Sequence, residues 1–185
     1  MIPHHLTAAF AASALLAGSL ALPSAAHAEL AVGAKAPDFT TQGALAGKAM
    51  PVALHALLRK GPVVLYFYPK AFTQGCTLEA HAFAEATDEF RKAGATVLGM
   101  SNDDIDTLKK FSTAECRDKF AVAAASPAVI KAYDVDLQRD GKSTGYTKRT
   151  SYVISKSGKV TFVHSDMDYS QHVSMTLAAV KKLAK

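Results

Sequence analysis

The chain has 185 residues, a formal net charge of +5 and two cysteines, which gives room for one ordinary domain with a full hydrophobic core. Its basic residues, among them Lys109, Lys110, Lys119, Lys131 and the pair Lys181-Lys182, are scattered among acids. A nucleic-acid-binding surface needs a clustered basic stripe with aromatics, so that class is excluded, and the lack of a Cys-x-x-Cys argues against vicinal-dithiol exchange.

The amino-terminal segment is set apart by composition. Leu6 to Leu22 is rich in Ala, Leu, Ser and Gly without one acidic or basic side chain, and Ala26-His27-Ala28 has the small-x-small pattern of a signal-peptidase site. Residues 1–28 are read as a secretory signal peptide and 29–185 as a mature domain exported to a bacterial periplasm. One feature departs from that pattern, since the first residues carry His4 and His5 but no Lys or Arg. An uncleaved anchor or a wrongly assigned start codon are the alternatives; Gly18, Ser19 and Pro23 interrupt the apolar run that an anchor needs.

Past the leader, Val32 to Thr41 and Lys48 to Met50 read as a small hairpin covering one side of a sheet, and Val52 to Leu58 as a short helix ended by Gly61-Pro62. Six apolar or aromatic residues, Val63 to Tyr68, stopped by Pro69, predict a strand buried on both faces. From Thr77 the period changes: Leu78, Phe83, Ala86 and Phe90 share one side of a helix that Gly94 ends. Cys76 therefore stands at the first turn, where unpaired backbone N–H groups and the positive end of the helix dipole favour a thiolate.

Ala95 to Met100 predicts a second strand, with Ser101-Asn102-Asp103 offering helix caps. Ile105, Leu108 and Phe111 mark a helix running toward Cys116, and Phe120 to Ala123 a third strand. Ser126-Pro127 starts a helix through Ala132 or Tyr133. Gln138 to Gly145 reads as a loop. Tyr146 to Ile154 and Lys159 to His164 read as strands joined across Ser155-Lys156-Ser157-Gly158. Asp168 or Ser170 caps a last helix that repeats Val173, Leu177, Val180 and Ala184. Strand-helix-strand-helix, then a hairpin and a helix, is the thioredoxin-like α/β plan, a central mixed sheet flanked by helices, here with an amino-terminal hairpin addition.

Other candidate sites are weak. His81 lies five residues after Cys76, about 140° around a helix, so the two do not share a face as metal ligands would. His55, His164 and His172 lack ligand spacing and read as surface or half-buried residues, so no metal is expected. Gly141-Lys142-Ser143 looks like the end of a phosphate loop, but no strand leads into it and it reads as a turn.

Pro69-x-x-x-Thr73-x-x-Cys76, after an apolar strand and before Thr77-x-Glu79, resembles the active-site segment of peroxiredoxins, and Tyr66-Phe67-Tyr68-Pro69 is closest to their bacterioferritin-comigratory or Q-type branch. The resemblance continues through Val32-Gly33-x-x-Ala36-Pro37-Asp38-Phe39, Gly99-Met100-Ser101-x-Asp103 and Arg149-x-Ser151-Tyr152-Val153-Ile154-x-x-x-Gly158, nearly the whole chain beyond residue 30. It implies a thiol peroxidase that reduces hydrogen peroxide and organic hydroperoxides through a sulfenic acid on Cys76. Thr73 and Arg149 would hold the substrate oxygens, Pro69 would shield the thiolate, Glu79 would orient the arginine, and backbone N–H groups near Gly75 would add donors.

Many such relatives place a resolving cysteine five residues after the first, where this chain has His81. A second group carries its partner cysteine near the end of the next helix, which matches Cys116 and implies a Cys76–Cys116 disulfide, formed as the first turn of the Cys76 helix unwinds. The residues alone leave open a permanent structural bridge, or a Cys116 that is only a buried small side chain. The resemblance also implies a thioredoxin-like protein reductant, no cofactor and no lasting membrane association, with a monomer as the simplest assembly. Gln74, where many relatives have proline, is a small departure. Two other classes keep the fold but not the peroxide chemistry: a thiol–disulfide oxidoreductase acting on proteins, and a redox-inert interaction domain.

Overall fold

The computed structural model describes residues 29–184; the leader expectation falls on residues outside them. Along the chain come β1 (Thr40–Leu45), β2 (Lys48–Ala53), α1 (Leu54–Leu58), β3 (Val63–Phe67), α2 (Gln74–Lys92), β4 (Thr96–Ser101), α3 (Ile105–Ala114), β5 (Ala121–Ala124) and α4 (Pro127–Ala132). They are followed by β6 (Asp136–Arg139), β7 (Lys142–Thr147), β8 (Thr150–Ile154), β9 (Val160–Ser165), a 3-10 turn (Tyr169–Gln171) and α5 (His172–Leu183).

Strand β3 lies inside the seven-stranded sheet, order β2-β1-β5-β4-β3-β8-β9. It pairs parallel with β4 and antiparallel with β8. Because side chains alternate across a strand, its apolar run feeds two cores. Val64 and Tyr66 join Phe83 and Phe90 of α2, Phe111 of α3 and Val180 of α5 on one face. Val63, Leu65 and Phe67 join Leu54 of α1, Ile130 of α4 and Phe39 on the other. Each such side chain contributes about 1.5–3 kcal/mol on leaving water, so a strand buried on both faces anchors the layers around it.

The amino-terminal hairpin differs from its expectation. It is β1 and β2, and it extends the sheet edge to edge rather than covering a face, with Gly43 opposite Ala123 and Ala44 opposite Val122 of β5. A Cβ on Gly43 would meet the Val122 carbonyl at 2.6 Å, so the close approach needs glycine. Val52 belongs to β2, which leaves α1 shorter than expected.

Two further expectations fail in the second half. Gln138 to Gly145 is no loop but most of a two-stranded ribbon, β6 with β7, closed by Asp140-Gly141, both at positive φ. The long strand expected over Tyr146 to Ile154 is interrupted at Lys148 and Arg149, and that interruption frees Arg149 to turn toward α2. The caps also shift. Asp104 accepts from Thr107 N–H and caps α3, whereas Asp103 accepts from Ala71 N–H and the Ser101 hydroxyl, both at 2.8 Å, and so fastens the loop ahead of α2. Ser126 caps α4 as read, and Asp168 caps the 3-10 turn before α5.

Candidate active site

Strand β3 ends at Phe67, the half-buried Pro69 follows two residues later, and the chain crosses a short loop to α2. The helix starts at Gln74, three residues earlier than its apolar period suggests, with Thr73 extended at the N-cap. The first helical hydrogen bond runs from Thr77 N–H to Thr73 O at 2.9 Å. The N–H groups of Gln74, Gly75 and Cys76 precede it, so the Cys76 sulfur sits in the field of the helix start. Cys76 is 2% exposed.

Arg149 reaches this sulfur from the break between β7 and β8. Thr147 Oγ1 donates to Tyr68 O at 2.7 Å and ties that break to the end of β3. The guanidinium divides its donors three ways: Nη2 lies 3.6 Å from Cys76 Sγ, Nη1 donates to Glu79 Oε2, and Nε donates to Met167 O at 3.0 Å. Glu79 is one turn after Cys76 on the same helix, so a single face of α2 presents both partners to one guanidinium. Gly75 supplies the room, since a Cβ there would lie 3.1 Å from Arg149 Nη2. Burial opposes the charge on Arg149, but Glu79 and Cys76 hold it above its ordinary value. Burial pushes the Glu79 carboxyl up to about 8, with Arg149 pulling the other way.

Behind this clamp lies a residue the sequence reading misplaced. His172 is fully buried, neither a surface nor a half-buried histidine. Its Nε2 faces Asp166 O at 3.0 Å, and a carbonyl only accepts, so Nε2 carries the hydrogen and Nδ1 accepts from the Ser151 hydroxyl at 2.8 Å. Nδ1 is also 3.8 Å from Glu79 Oε1, an oxygen without a hydrogen-bond partner among the described residues. Burial pulls His172 down to about 4 and keeps the ring neutral. Only the Ser151 of the quoted Arg149-x-Ser151 stretch hinted at this layer.

The remaining expected residues lie at differing distances from the sulfur. Thr73 Oγ1 donates back to Lys70 O at 2.9 Å and is exposed, so its hydroxyl faces the loop and bonds neither Cys76 nor Arg149. Cys116 follows α3 and is 0% exposed; burial raises its thiol well above the ordinary range, and Glu115 and Asp118 add to the shift. Both thiols are free. Tyr66 and Tyr68, buried on the same side of the sheet, stand within electrostatic reach of both sulfurs. Among the described residues no group of three or more His, Cys, Asp or Glu is placed to hold a metal ion.

This geometry concentrates positive potential on one buried thiol through a helix start and a guanidinium, which suits a sulfur that must attack as thiolate and an acceptor that gathers negative charge on oxygen. Known proteins carry the same arrangement of elements. The AhpC/TSA family matches residues 32–163. Peroxiredoxin Bcp of Escherichia coli strain K12 is 33% identical over 124 residues, covering 66% of this chain and 80% of its own. The crystal structure of peroxidoxin BcpB from Mycobacterium tuberculosis superimposes with a TM-score of 0.73 at 32% identity, over 82% of this chain and 97% of that one. The bacterioferritin comigratory protein of Xanthomonas campestris gives 0.69 at 31% identity, over 78% and 92%. A match over most of the chain, in sequence and in fold, places it: the chain belongs to the AhpC/TSA family and is a thiol peroxidase of the peroxiredoxin Bcp branch.

Proposed function

We propose that Cys76 is the peroxide-reducing thiol, and the observation that carries this reading is the 3.6 Å approach of Arg149 Nη2 to its sulfur. The thiolate attacks one peroxide oxygen along the O–O axis, that bond breaks, and hydroxide or alkoxide leaves and takes up a proton. Sulfur loses two electrons to the peroxide and becomes a sulfenic acid. Arg149, steered by Glu79 and Met167 O, and the N–H groups of Gly75 and Cys76 stabilise the charge that moves onto oxygen. Thr73, at the N-cap, joins them by turning its hydroxyl from Lys70 O to the bound oxygen. The Xanthomonas campestris relative is described for alkyl peroxide reduction, which supports organic hydroperoxides as substrates beside hydrogen peroxide.

Cys116 then condenses with the sulfenic acid: the S–S bond forms, the S–O bond breaks, and the oxygen leaves as water with the Cys116 proton. Both sulfurs are free and buried in one core cluster, and the first turn of α2 unwinds with the turn carrying Cys116 to let the bond form. A thioredoxin-like dithiol reduces the bridge and returns both thiols. Residues 1–28 act as an export leader and the enzyme works in the periplasm. Among the described residues no helix is long and apolar enough to cross a membrane. Steady-state peroxide consumption with a thioredoxin system tests the cycle: Cys76→Ser should abolish it and Cys116→Ser should block recycling after the first oxidation. Full turnover by Cys116→Ser would remove Cys116 from the cycle.

A further inference from the structure

His81 stands where many relatives carry a resolving cysteine, and it is not idle. Its Nε2 donates to Glu115 Oε2 at 2.7 Å, and Glu115 immediately precedes Cys116. The pair is largely shielded, with side chains 29% and 19% exposed. Two more ties from α2 reach the same turn, Glu85 to Arg117 and Arg91 Nη2 to Lys119 O at 2.7 Å. The Glu85–Arg117 pair is well exposed and holds weakly. Residues 115–119 are thus strapped along one edge of the helix whose first turn bears Cys76, and the shielded strap is the one beside Cys116.

The turn itself is held in an unfavourable shape. Arg117 and Asp118 both sit at positive φ, 50° and 57°, a region that L side chains leave readily when released. The backbone of the turn is closed by Cys116 N–H to Phe111 O at 3.1 Å and Lys119 N–H to Cys116 O at 2.9 Å. Cys116 is meanwhile sealed in the core, where burial favours the thiol over the attacking thiolate. Both thiols are free and buried in the same core cluster; on this reading the bridge forms as the first turn of α2 unwinds and the Cys116 turn gives way.

We propose that His81 and Glu115 are positioning residues of the disulfide-forming step: their hydrogen bond fastens the Cys116 turn to α2 in the reduced protein, and its release governs how readily Cys116 leaves the core to meet oxidised Cys76. The proposal rests on the reading of Cys116 as the resolving cysteine. It adds that α2 carries both the attacking thiol and the catch on its partner. The catch delays resolution, so peroxide in excess can carry Cys76 on to the sulfinic acid before the bridge closes.

The chain has no tryptophan, so the step is followed by rapid quench with a thiol alkylator and intact mass after one equivalent of hydrogen peroxide. His81→Ala should form the disulfide about three- to ten-fold faster than wild type, the range that loss of one hydrogen bond spans, and should accumulate less sulfinic acid in excess peroxide. The first oxidation of Cys76 should keep its rate. His81→Gln, whose Nε2 reaches the same carboxylate, should restore the wild-type rate and sulfinic fraction, which a merely destabilised helix would not do. Glu115→Ala should match His81→Ala, and in a Cys76→Ser background either change should speed alkylation of Cys116 by a similar factor. Disulfide formation at or below the wild-type rate in both alanine variants, with Cys116→Ser still blocking the bridge, would overturn the catch while leaving Cys116 as resolver. A bridge-free full cycle in Cys116→Ser would overturn both.

Discussion

His172 makes the stability of the fold depend on acid. In the unfolded chain the imidazole takes up a proton near its ordinary 6.5, whereas in the fold, sealed from water between Ser151 and Asp166 O, it resists until about 4. Between those values the unfolded state binds the extra proton, so stability is complete above about 6.5 and falls as the pH drops toward 4. The loss amounts to about 2 kcal/mol by pH 5 and about 3 kcal/mol by pH 4. Glu79, raised by burial, works in the opposite direction, so the informative quantity is the difference between wild type and His172→Asn. Urea unfolding from pH 7 to pH 4 should show the variant weaker at neutral pH, through loss of the Asp166 bond, yet about 2–3 kcal/mol less sensitive to acid. Parallel curves for the two proteins would refute the reasoning, because they would mean that His172 is protonated, or reaches water, in the native state.

Arg149→Ala should slow Cys76 oxidation about 10²- to 10³-fold in single-turnover kinetics. It should also lower stability by about 1–3 kcal/mol, since the buried Glu79 carboxyl, already raised by burial, would take up a proton and lose its hydrogen-bond donor, which denaturant unfolding will register. Gly75→Ala separates the two effects: its methyl would press on Arg149 Nη2 while alanine suits the helix, so the peroxide step should slow about three- to ten-fold with stability within about 1 kcal/mol of wild type.

What could be read from residues alone was local. Val63 to Tyr68 is apolar without a gap, and Ser126-Pro127 pairs a cap with a helix-starting proline, so both elements stand where their chemistry puts them. The Cys76 site was legible because Cys76 and Glu79 lie on one turn and Arg149 falls in a quoted motif. Other features depend on contacts that a period cannot show. Thr147 to Ser151 is polar without a gap between Tyr146 and Tyr152-Val153-Ile154, so no change of period marks the break that aims Arg149. Gly43 docks on β5 across a long stretch of chain, and only the side-chain-free approach to Val122 explains why the hairpin joins the edge. The Asp140-Gly141 turn does carry a mark, since Asp-Gly is a strong two-residue hairpin signal, but the polar residues around it have the composition of a loop. His172 is polar and lies at a helix start, a usual place for an exposed side chain, and the packing of α5 against α2, β8 and β9 seals it.

The most direct measurement of the central claim is intact mass with a free-thiol count on the reduced protein after one equivalent of hydrogen peroxide, beside Cys76→Ser and Cys116→Ser. The account predicts rapid loss of both thiols and of two hydrogens in wild type, addition of one oxygen in Cys116→Ser, and no fast change in Cys76→Ser. Fast oxidation that survives Cys76→Ser, or a wild-type protein that keeps both thiols, would contradict it.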